Sequence, residues 1–503
     1  MGFFAAASPP PRPAAAGAGQ GRPFRAGGGG RTRATSGKAG PVLASGAAPL
    51  SPPIGDRSVR SPARSPRSAA RPPAPRTVTL DIDRVGSQGD GLARLDGQTV
   101  YVPFTVAGDR VLARIEARRG DGLAATLVEL LAPGPGRAEP VCPHFGRCGG
   151  CALQHLGPEA HAVWKEEILA GAVAHAGLGE VPREALTAIA PGCRRRAVFA
   201  WSVRRGATQI GFNARASHAL VDLDSCPLLL PALTVVLAPL RRLLATLVPG
   251  GGGDVTVTQT EGGLDLVIEG ELRLDLFARE TLARFAEEAD LARLHWRRPG
   301  GGGAEPIVRR RPALVRFGSV AVEPPPGAFL QPSREGEQAI CGWVLAALEG
   351  CDGPVADLYA GCGSFSLPIA ARRRGAVHAI EGEAAAVQAL AAAARAEGLA
   401  ATVETRDLAR RPLSPVELAP YRAVVLDPPR AGAAAQAAEL ARPPDRRGGP
   451  DLVVMVSCAP ATLGRDLRLL AAGGWQIERL MPIDQFPWSA HLEAVAVARR
   501  QRG

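Results

Sequence analysis

The sequence predicts an α/β protein: a mostly parallel, doubly wound sheet at the C-terminal end, preceded by a small OB-like β-barrel and an α+β domain. Three observations carry this. From about residue 326 onward, short apolar runs alternate with helix-like stretches. Residues 77–133 hold short segments in which apolar and polar residues alternate. Between them lies a mixed segment that opens on a tight group of cysteines. The 503 residues leave room for about three domains at ~150 residues each, and 46% hydrophobic content is enough for ordinary cores.

Residues 1–76 come first and differ from the rest. They are Ala, Gly, Pro, Arg and Ser with few large apolar side chains, so burial cannot offset the entropy of ordering them, and a disordered arm is expected. They carry twelve Lys or Arg against one acid, Asp56, which accounts for the whole formal charge of +11. The remaining residues are formally neutral, so net charge gives no argument that the folded body binds nucleic acid, and any basic groove must be local. The arm is acid-poor and Arg-rich, as transit peptides are, but its Gly and Pro content opposes the amphipathic helix such peptides use.

In residues 77–133, Val78, Leu80 and Ile82 alternate with polar residues, as do Val100 and Val102, then Val111, Ala113 and Ile115; Gly-rich turns separate them. That is the pattern of a small barrel, an architecture that often binds single-stranded RNA. Residues 134–325 follow as the central α+β domain, with Gly250 to Gly253 and Gly300 to Gly303 expected as flexible loops. No stretch reaches the ~20 apolar residues of a membrane helix; the best candidate, Pro227 to Leu240, is short and interrupted by proline. No secretory signal is visible, and the odd count of nine cysteines is not a secreted disulfide framework, so a cytoplasmic protein without membrane contact is expected.

Cys142-x5-Cys148-x2-Cys151, with Cys226 or Cys193 downstream, supplies four thiolates. A [4Fe–4S] cluster needs four, and so does structural zinc; the spacing does not separate them. Gly149-Gly150 between two of the cysteines allows the backbone to approach a bulky group closely.

In residues 326–503, strands are expected at Val355 to Tyr359, Val377 to Glu381, Ala423 to Asp427 and Leu452 to Ser457, and a helix at Ala384 to Glu397. Asp357-Leu-Tyr-Ala-Gly361-Cys-Gly363 leaves the first strand, and Glu381 ends the next, about 20 residues on, where a carboxylate can bind ribose hydroxyls. The third glycine of the dinucleotide fingerprint is missing, which disfavours NAD; the D-x-x-x-G-x-G loop with a later acid is similar to an S-adenosylmethionine site, the alternative being a helix-start turn with no ligand. Asp427-Pro-Pro-Arg430 forms a rigid turn outside the carboxyl end of a strand, where open α/β sheets bind ligands. Cys458 leaves the strand Leu452 to Val456 into a Pro-containing loop, and Glu493 begins the last apolar run. A thiol and a carboxylate are the minimum for covalent catalysis followed by proton abstraction.

Together these motifs resemble the bacterial RNA 5-methyluridine (uracil-C5) methyltransferases, especially the branch acting on 23S ribosomal RNA. The resemblance runs from about Thr77 to the C-terminus. It implies a TRAM domain over 77–133, an iron–sulfur domain and a Rossmann-like class I methyltransferase domain. By it Cys142, Cys148, Cys151 and Cys226 hold a [4Fe–4S] cluster, and Gln331, Tyr359, Ser364, Glu381, Asp407 and Asp427 line the S-adenosylmethionine site. Cys458 becomes the nucleophile that adds to C6 of uracil, and Glu493 the base that removes the C5 proton. The implied partner is ribosomal RNA and the implied state a monomer. The sequence departs from the family pattern at Ser364 and Ala459, where Asn is usual, and at Trp488-Ser489, where His-Thr is usual. The alternatives are a transfer RNA uracil-C5 methyltransferase and a catalytically inactive RNA-binding iron–sulfur protein.

Overall fold

The computed structural model describes residues 76–300, 302–373, 375–443 and 448–500. The chain divides into two units, 1–69 and 70–503. The expected disordered arm lies outside the described residues except for Arg76, which opens the first strand.

Six strands come first: β1 (Arg76–Asp81), β2 (Arg84–Val85), β3 (Gly91–Leu95), β4 (Gln98–Val102), β5 (Arg110–Arg119) and β6 (Gly122–Ala132). They form one sheet in the order β1-β5-β6-β4-β3-β2, antiparallel except for the β4–β6 pair. The sheet curls until β1 also packs against β3. The alternating residues point inward: Leu80, Ile82, Val100, Val102, Val111, Ala113 and Ile115 are all buried in one core.

The cysteine loop leads into α1 (Pro158–His175), β7 (Thr187–Ala188), β8 (Arg196–Arg204), β9 (Ala207–Asn213), β10 (Leu220–Asp222), α2 (Pro231–Val235) and α3 (Leu237–Leu247). Next come β11 (Gly251–Thr260), β12 (Gly263–Glu269), α4 (Leu276–Glu288), β13 (Leu291–Arg297) and β14 (Glu305–Arg309). Seven of these strands make a sheet ordered β10-β9-β8-β11-β12-β13-β14. Leu240 and Leu244 of α3 and Leu282 and Phe285 of α4 cover its apolar face, packing in one core with Phe199, Val255 and Leu266. No helix among the described residues is long and apolar enough to cross a membrane.

One expectation is corrected here. Gly251 to Gly253 are not a loop but the start of β11, paired with Val203, Ser202 and Trp201 of β8. The glycines belong in the strand because the backbones crowd: a Cβ on Gly253 would lie 2.0 Å from the Glu269 carbonyl oxygen.

The hairpin β15 (Val315–Phe317) and β16 (Val320–Val322) precedes α5 (Arg334–Ala347), whose first turn is capped by the Ser333 hydroxyl accepting from the Gly336 N–H. The alternation then runs β17 (Val355–Leu358), α6 (Ser366–Arg372), β18 (Val377–Glu381), α7 (Ala384–Ala396), β19 (Ala401–Thr405), α8 (Pro415–Leu418), β20 (Ala423–Leu426), α9 (Ala434–Ala441), β21 (Leu452–Ser457), α10 (Pro460–Ala472), β22 (Trp475–Asp484) and β23 (Glu493–Arg500). The sheet order is β19-β18-β17-β20-β21-β23-β22-β7. Strands β17 to β21 run parallel and β22 and β23 pair antiparallel. The order reverses at β17, so the carboxyl ends of β17, β18 and β20 open a crevice there. Segments of the expected central domain also complete this sheet: β7 pairs with β22, and α1 packs on α10 and β22.

Candidate active site

The loop leaving β17 is turned by backbone in the left-handed region: φ is +64° at Tyr359, +54° at Gly361 and +101° at Gly363. The two glycines serve different ends. A Cβ on Gly363 would press on Leu367 at 2.8 Å and Leu390 at 3.0 Å, whereas at Gly361 nothing lies within 4 Å, because that backbone faces an open cavity. The Glu381 carboxylate accepts from the Gly361 N–H (3.0 Å) and the Glu383 N–H (2.8 Å), which fixes it at the end of β18. Asp357 is buried beneath the loop, where burial pushes its carboxyl up to about 7 and Ser366 donates a hydrogen bond to it.

Register explains the meeting of Cys458 and Glu493. Strands β21 and β23 are antiparallel with Ser457 opposite Ala494, so the next residue of one strand faces the preceding residue of the other. Glu493 is buried and belongs to a polar chain. The Gln485 side-chain amide donates to Glu493 Oε2 and to Gln331 Oε1, each at 2.8 Å, and the Gln331 amide donates to Asp427 Oδ2 at 3.2 Å. Burial pushes Glu493 up to about 7, and burial together with the Glu493 charge holds Asp427 well above the usual carboxylate range. Burial also pushes the Cys458 thiol up to about 11, with Glu493 and Asp427 adding to the rise and Arg430 opposing it.

A cavity of about 590 Å³ brings together Gln331, Tyr359, Ser364, Glu381, Asp427, Cys458 and Glu493. Asp407 is not in its wall: it is exposed after β19, and its carboxylate accepts from the Ala409 and Arg410 N–H groups of its own turn. The Glu381 carboxylate stands by the glycine loop in this cavity, and Asp427 and Glu493 share its wall. Cys458 and Arg430 also line a second cavity of about 800 Å³, bounded by Arg84 of β2, Trp164 and His175 of α1, and Arg465 and Arg468 of α10. The thiol therefore stands between two openings.

A third cavity of about 570 Å³ gathers Cys142, Cys148, Cys151 and Cys226, with Cys193 also in its wall. The Cys193 thiol donates to the Ala190 carbonyl at 2.9 Å. Burial pushes Cys151 up to about 12, and the charges of Cys226, Cys148 and Cys142 add to the rise. Among the described residues no three His, Cys, Asp or Glu side chains close around a single metal ion.

The segment between β22 and β23 is held from a distance. Lys165 of α1, fully buried, donates to Asp484 Oδ1 (2.8 Å), to the Phe486 carbonyl (3.2 Å) and to the His491 carbonyl. The Trp488 carbonyl accepts from the N–H groups of Ala152 (2.8 Å) and Leu153 (3.1 Å), just past Cys151. Sequence reasoning missed Gln485 and Lys165, because their roles come from contacts across the chain that no local spacing announces. Arg430 was visible only as the last residue of the Asp427 turn.

Residues 319–501 match the family model described as tRNA (Uracil-5-)-methyltransferase, and residues 76–128 match the TRAM domain. An uncharacterised RNA methyltransferase of Brucella suis is 44% identical over 430 residues, which cover 85% of this chain and 99% of that protein. The 23S rRNA (uracil(1939)-C(5))-methyltransferase of Halomonas elongata is 36% identical over 481 residues, covering 89% of this chain and 95% of that one. The crystal structure of Pyrococcus abyssi tRNA (uracil-54, C5)-methyltransferase in complex with S-adenosyl-L-homocysteine superposes with a TM-score of 0.63, covering 84% of this chain and 100% of that one; at 20% identity it shows the fold alone. With a TRAM domain at one end, a doubly wound sheet at the other and relatives matched over nearly their whole length, the chain belongs to the S-adenosylmethionine-dependent RNA uracil-5 methyltransferase family.

Proposed function

We propose that the protein methylates C5 of a uridine in 23S ribosomal RNA in the cytoplasm, through a covalent adduct between Cys458 and C6. The observation that carries this is the β21–β23 register, which sets a thiol beside a buried carboxyl group in the wall of one cavity. S-adenosylmethionine, when bound, supplies an electrophilic methyl group. Glu381 binds the ribose hydroxyls, Gln331 and Asp427 line the far end, and the second cavity admits the uridine from the opposite side of the thiol. The Cys458 thiolate forms the S–C6 bond, and the C5=C6 pair moves onto C5 and O4 as an enolate. C5 takes the methyl group as the sulfonium's S–CH3 bond breaks. Glu493 accepts the C5 proton; the released pair restores C5=C6, the S–C6 bond breaks, and the thiolate is regenerated. A carboxyl group poised near about 7 has the basicity for that transfer at neutral pH.

Ribosomal rather than transfer RNA is favoured by the Halomonas relative and by the TRAM domain together with the cysteine quartet. Cys142, Cys148, Cys151 and Cys226 are proposed to hold a [4Fe–4S] cluster. Those four thiols line one cavity with Cys193 as a fifth and with no carboxylate, a donor set that suits a thiolate-bound cluster. Iron and sulfide analysis of anaerobically purified protein checks it: four iron per chain, lost in Cys151→Ser, is expected, and zinc instead would refute the cluster.

For the reaction, full-length protein is incubated with unmodified 23S and transfer RNA and methyl-labelled S-adenosylmethionine. Labelled 5-methyluridine in 23S RNA is expected, absent with Cys458→Ala, and Glu493→Gln should accumulate a covalent RNA adduct. Label confined to transfer RNA would reverse the substrate, and a fully active Cys458→Ala would end the covalent mechanism.

A further inference from the structure

We infer that Arg430, clamped by the His491 imidazole, is the cation that ionises Cys458, and that His491 is its positioning residue. This rests on Cys458 being a thiol that reacts as its anion, as proposed above. Three features place the guanidinium. Arg430 lines all three cavities, including the two that share Cys458. Its backbone is held by the rigid Pro428-Pro429 turn and by the Thr462 hydroxyl donating to its carbonyl at 3.2 Å. Its Nη2 lies 2.9 Å from His491 Nε2.

A guanidinium only donates, so that contact requires an imidazole with a free Nε2 lone pair and its proton on Nδ1. The surroundings keep His491 neutral: burial first, then the charges of Arg430, Lys165 and Arg194, bring it down to about 4. The imidazole is itself anchored. The His491 backbone carbonyl accepts from Lys165, its backbone N–H donates to the Ser489 hydroxyl at 3.3 Å, and its ring packs edge-to-face with Phe486, 5.8 Å between centroids. Charge on the thiol is opposed by Glu493 of β23 and by Asp427, which shares the turn of Arg430. The groove also carries Arg84 of β2, Glu167 and His175 of α1, and Arg465 and Arg468 of α10. Arg430 shares the walls of two cavities with Cys458, and its charge lowers the thiol's pKa against the rise from burial, Glu493 and Asp427. The step is a proton loss alone: the Cys458 S–H bond breaks, the proton leaves to water in the groove, and the sulfur keeps the electron pair.

The test uses the full chain without RNA. The iodoacetamide alkylation rate of Cys458 is followed against pH by mass spectrometry of its peptide. Arg430→Met should move the profile to higher pH by about one unit, an alkylation rate about tenfold lower at fixed pH. Arg430→Lys should recover part of the loss, and His491→Ala, which frees the guanidinium without removing it, should fall between. A profile unchanged in Arg430→Met overturns the inference. If that variant does not fold, an unchanged profile in His491→Ala overturns it instead. Loss of methylation with unaltered alkylation would make Arg430 an RNA contact and sink this inference while leaving the reaction intact. A shifted profile in a protein that methylates no RNA would do the reverse.

Discussion

Two walls of the cavity that holds Cys458 and Glu493 are built by different rules. One consists of the Tyr359–Phe365 loop, Glu381, the Asp427 turn and Cys458, each within a few residues of the carboxyl end of a parallel strand. The other is given by Phe486 and Glu493, from the segment between two antiparallel strands, and the partners of that segment are remote: Lys165 lies more than 300 residues before Asp484, and Ala152 and Leu153 reach Trp488 from the cysteine loop. Strand ends place the first wall by local geometry. The second is held by contacts from α1 and the cysteine loop. One active site thus combines a wall that comes with the sheet and a wall that comes with the assembly of the domains.

The sharpest way to break that contrast is Lys165→Met. It leaves Asp484 buried without its cation and removes a hydrogen bond from two carbonyls. Breaking such a buried pair costs about 3–5 kcal/mol, to be read by denaturant unfolding. Hydrogen exchange should rise over residues 484–491 and stay unchanged over 359–366. Equal loosening of both loops would mean that the walls are not independent. The converse experiment is Glu381→Ala, which removes the carboxylate from the glycine loop and strands the Gly361 N–H. A charged hydrogen bond contributes about 1.5–3 kcal/mol, so binding of S-adenosylhomocysteine measured by calorimetry should weaken roughly 10–100-fold. Cys458 alkylation should not change.

The same division decides what the sequence could reveal. Four strands of the last sheet, β17, β18, β20 and β21, were legible to within a residue, because short apolar runs between turns have few other uses: β18 and β21 fall on Val377–Glu381 and Leu452–Ser457 as expected, whereas β7, β19 and β22 were not read. Glu381 could be found from spacing, and Cys458 and Asp427 from their positions at strand ends. Glu493 could be proposed but not placed, since only the β21–β23 pairing brings it to the thiol. Gln485 and Lys165 were illegible because nothing near them in the chain signals their partners. Gly251 to Gly253 misled for a related reason: the need for glycine lies in the Glu269 and Trp201 backbones, which are remote in sequence. Asp407 was carried over from the family pattern, and in this structure it serves its own turn.

A smaller effect sharpens the comparison within the second wall. Under the proposed mechanism the carboxylate form of Glu493 accepts the C5 proton, so turnover should rise as pH increases through about 7. Gln485 donates to that carboxylate and holds its value down. Removing the donor in Gln485→Leu favours the protonated form, and the rising limb of the rate profile should move to higher pH by about one unit. Single-turnover rates between pH 5.5 and 9 check this. A movement to lower pH, or none, would show that Gln485 only fills space.

The smallest effect lies outside both walls, in the basic groove behind the thiol. Arg468 is exposed on α10 and lines that groove. If RNA phosphates run along it, Arg468→Ala should weaken binding of every RNA sequence alike by about 1 kcal/mol or less, with the slope of log affinity against log salt falling by about one. The wall residues predict the opposite pattern, a change in rate or in cofactor affinity with the salt slope unaltered. A salt slope that stays fixed in Arg468→Ala would move the RNA path to another face of the molecule, whereas a slope that falls while cofactor affinity holds would separate the docking of the RNA from the chemistry at Cys458.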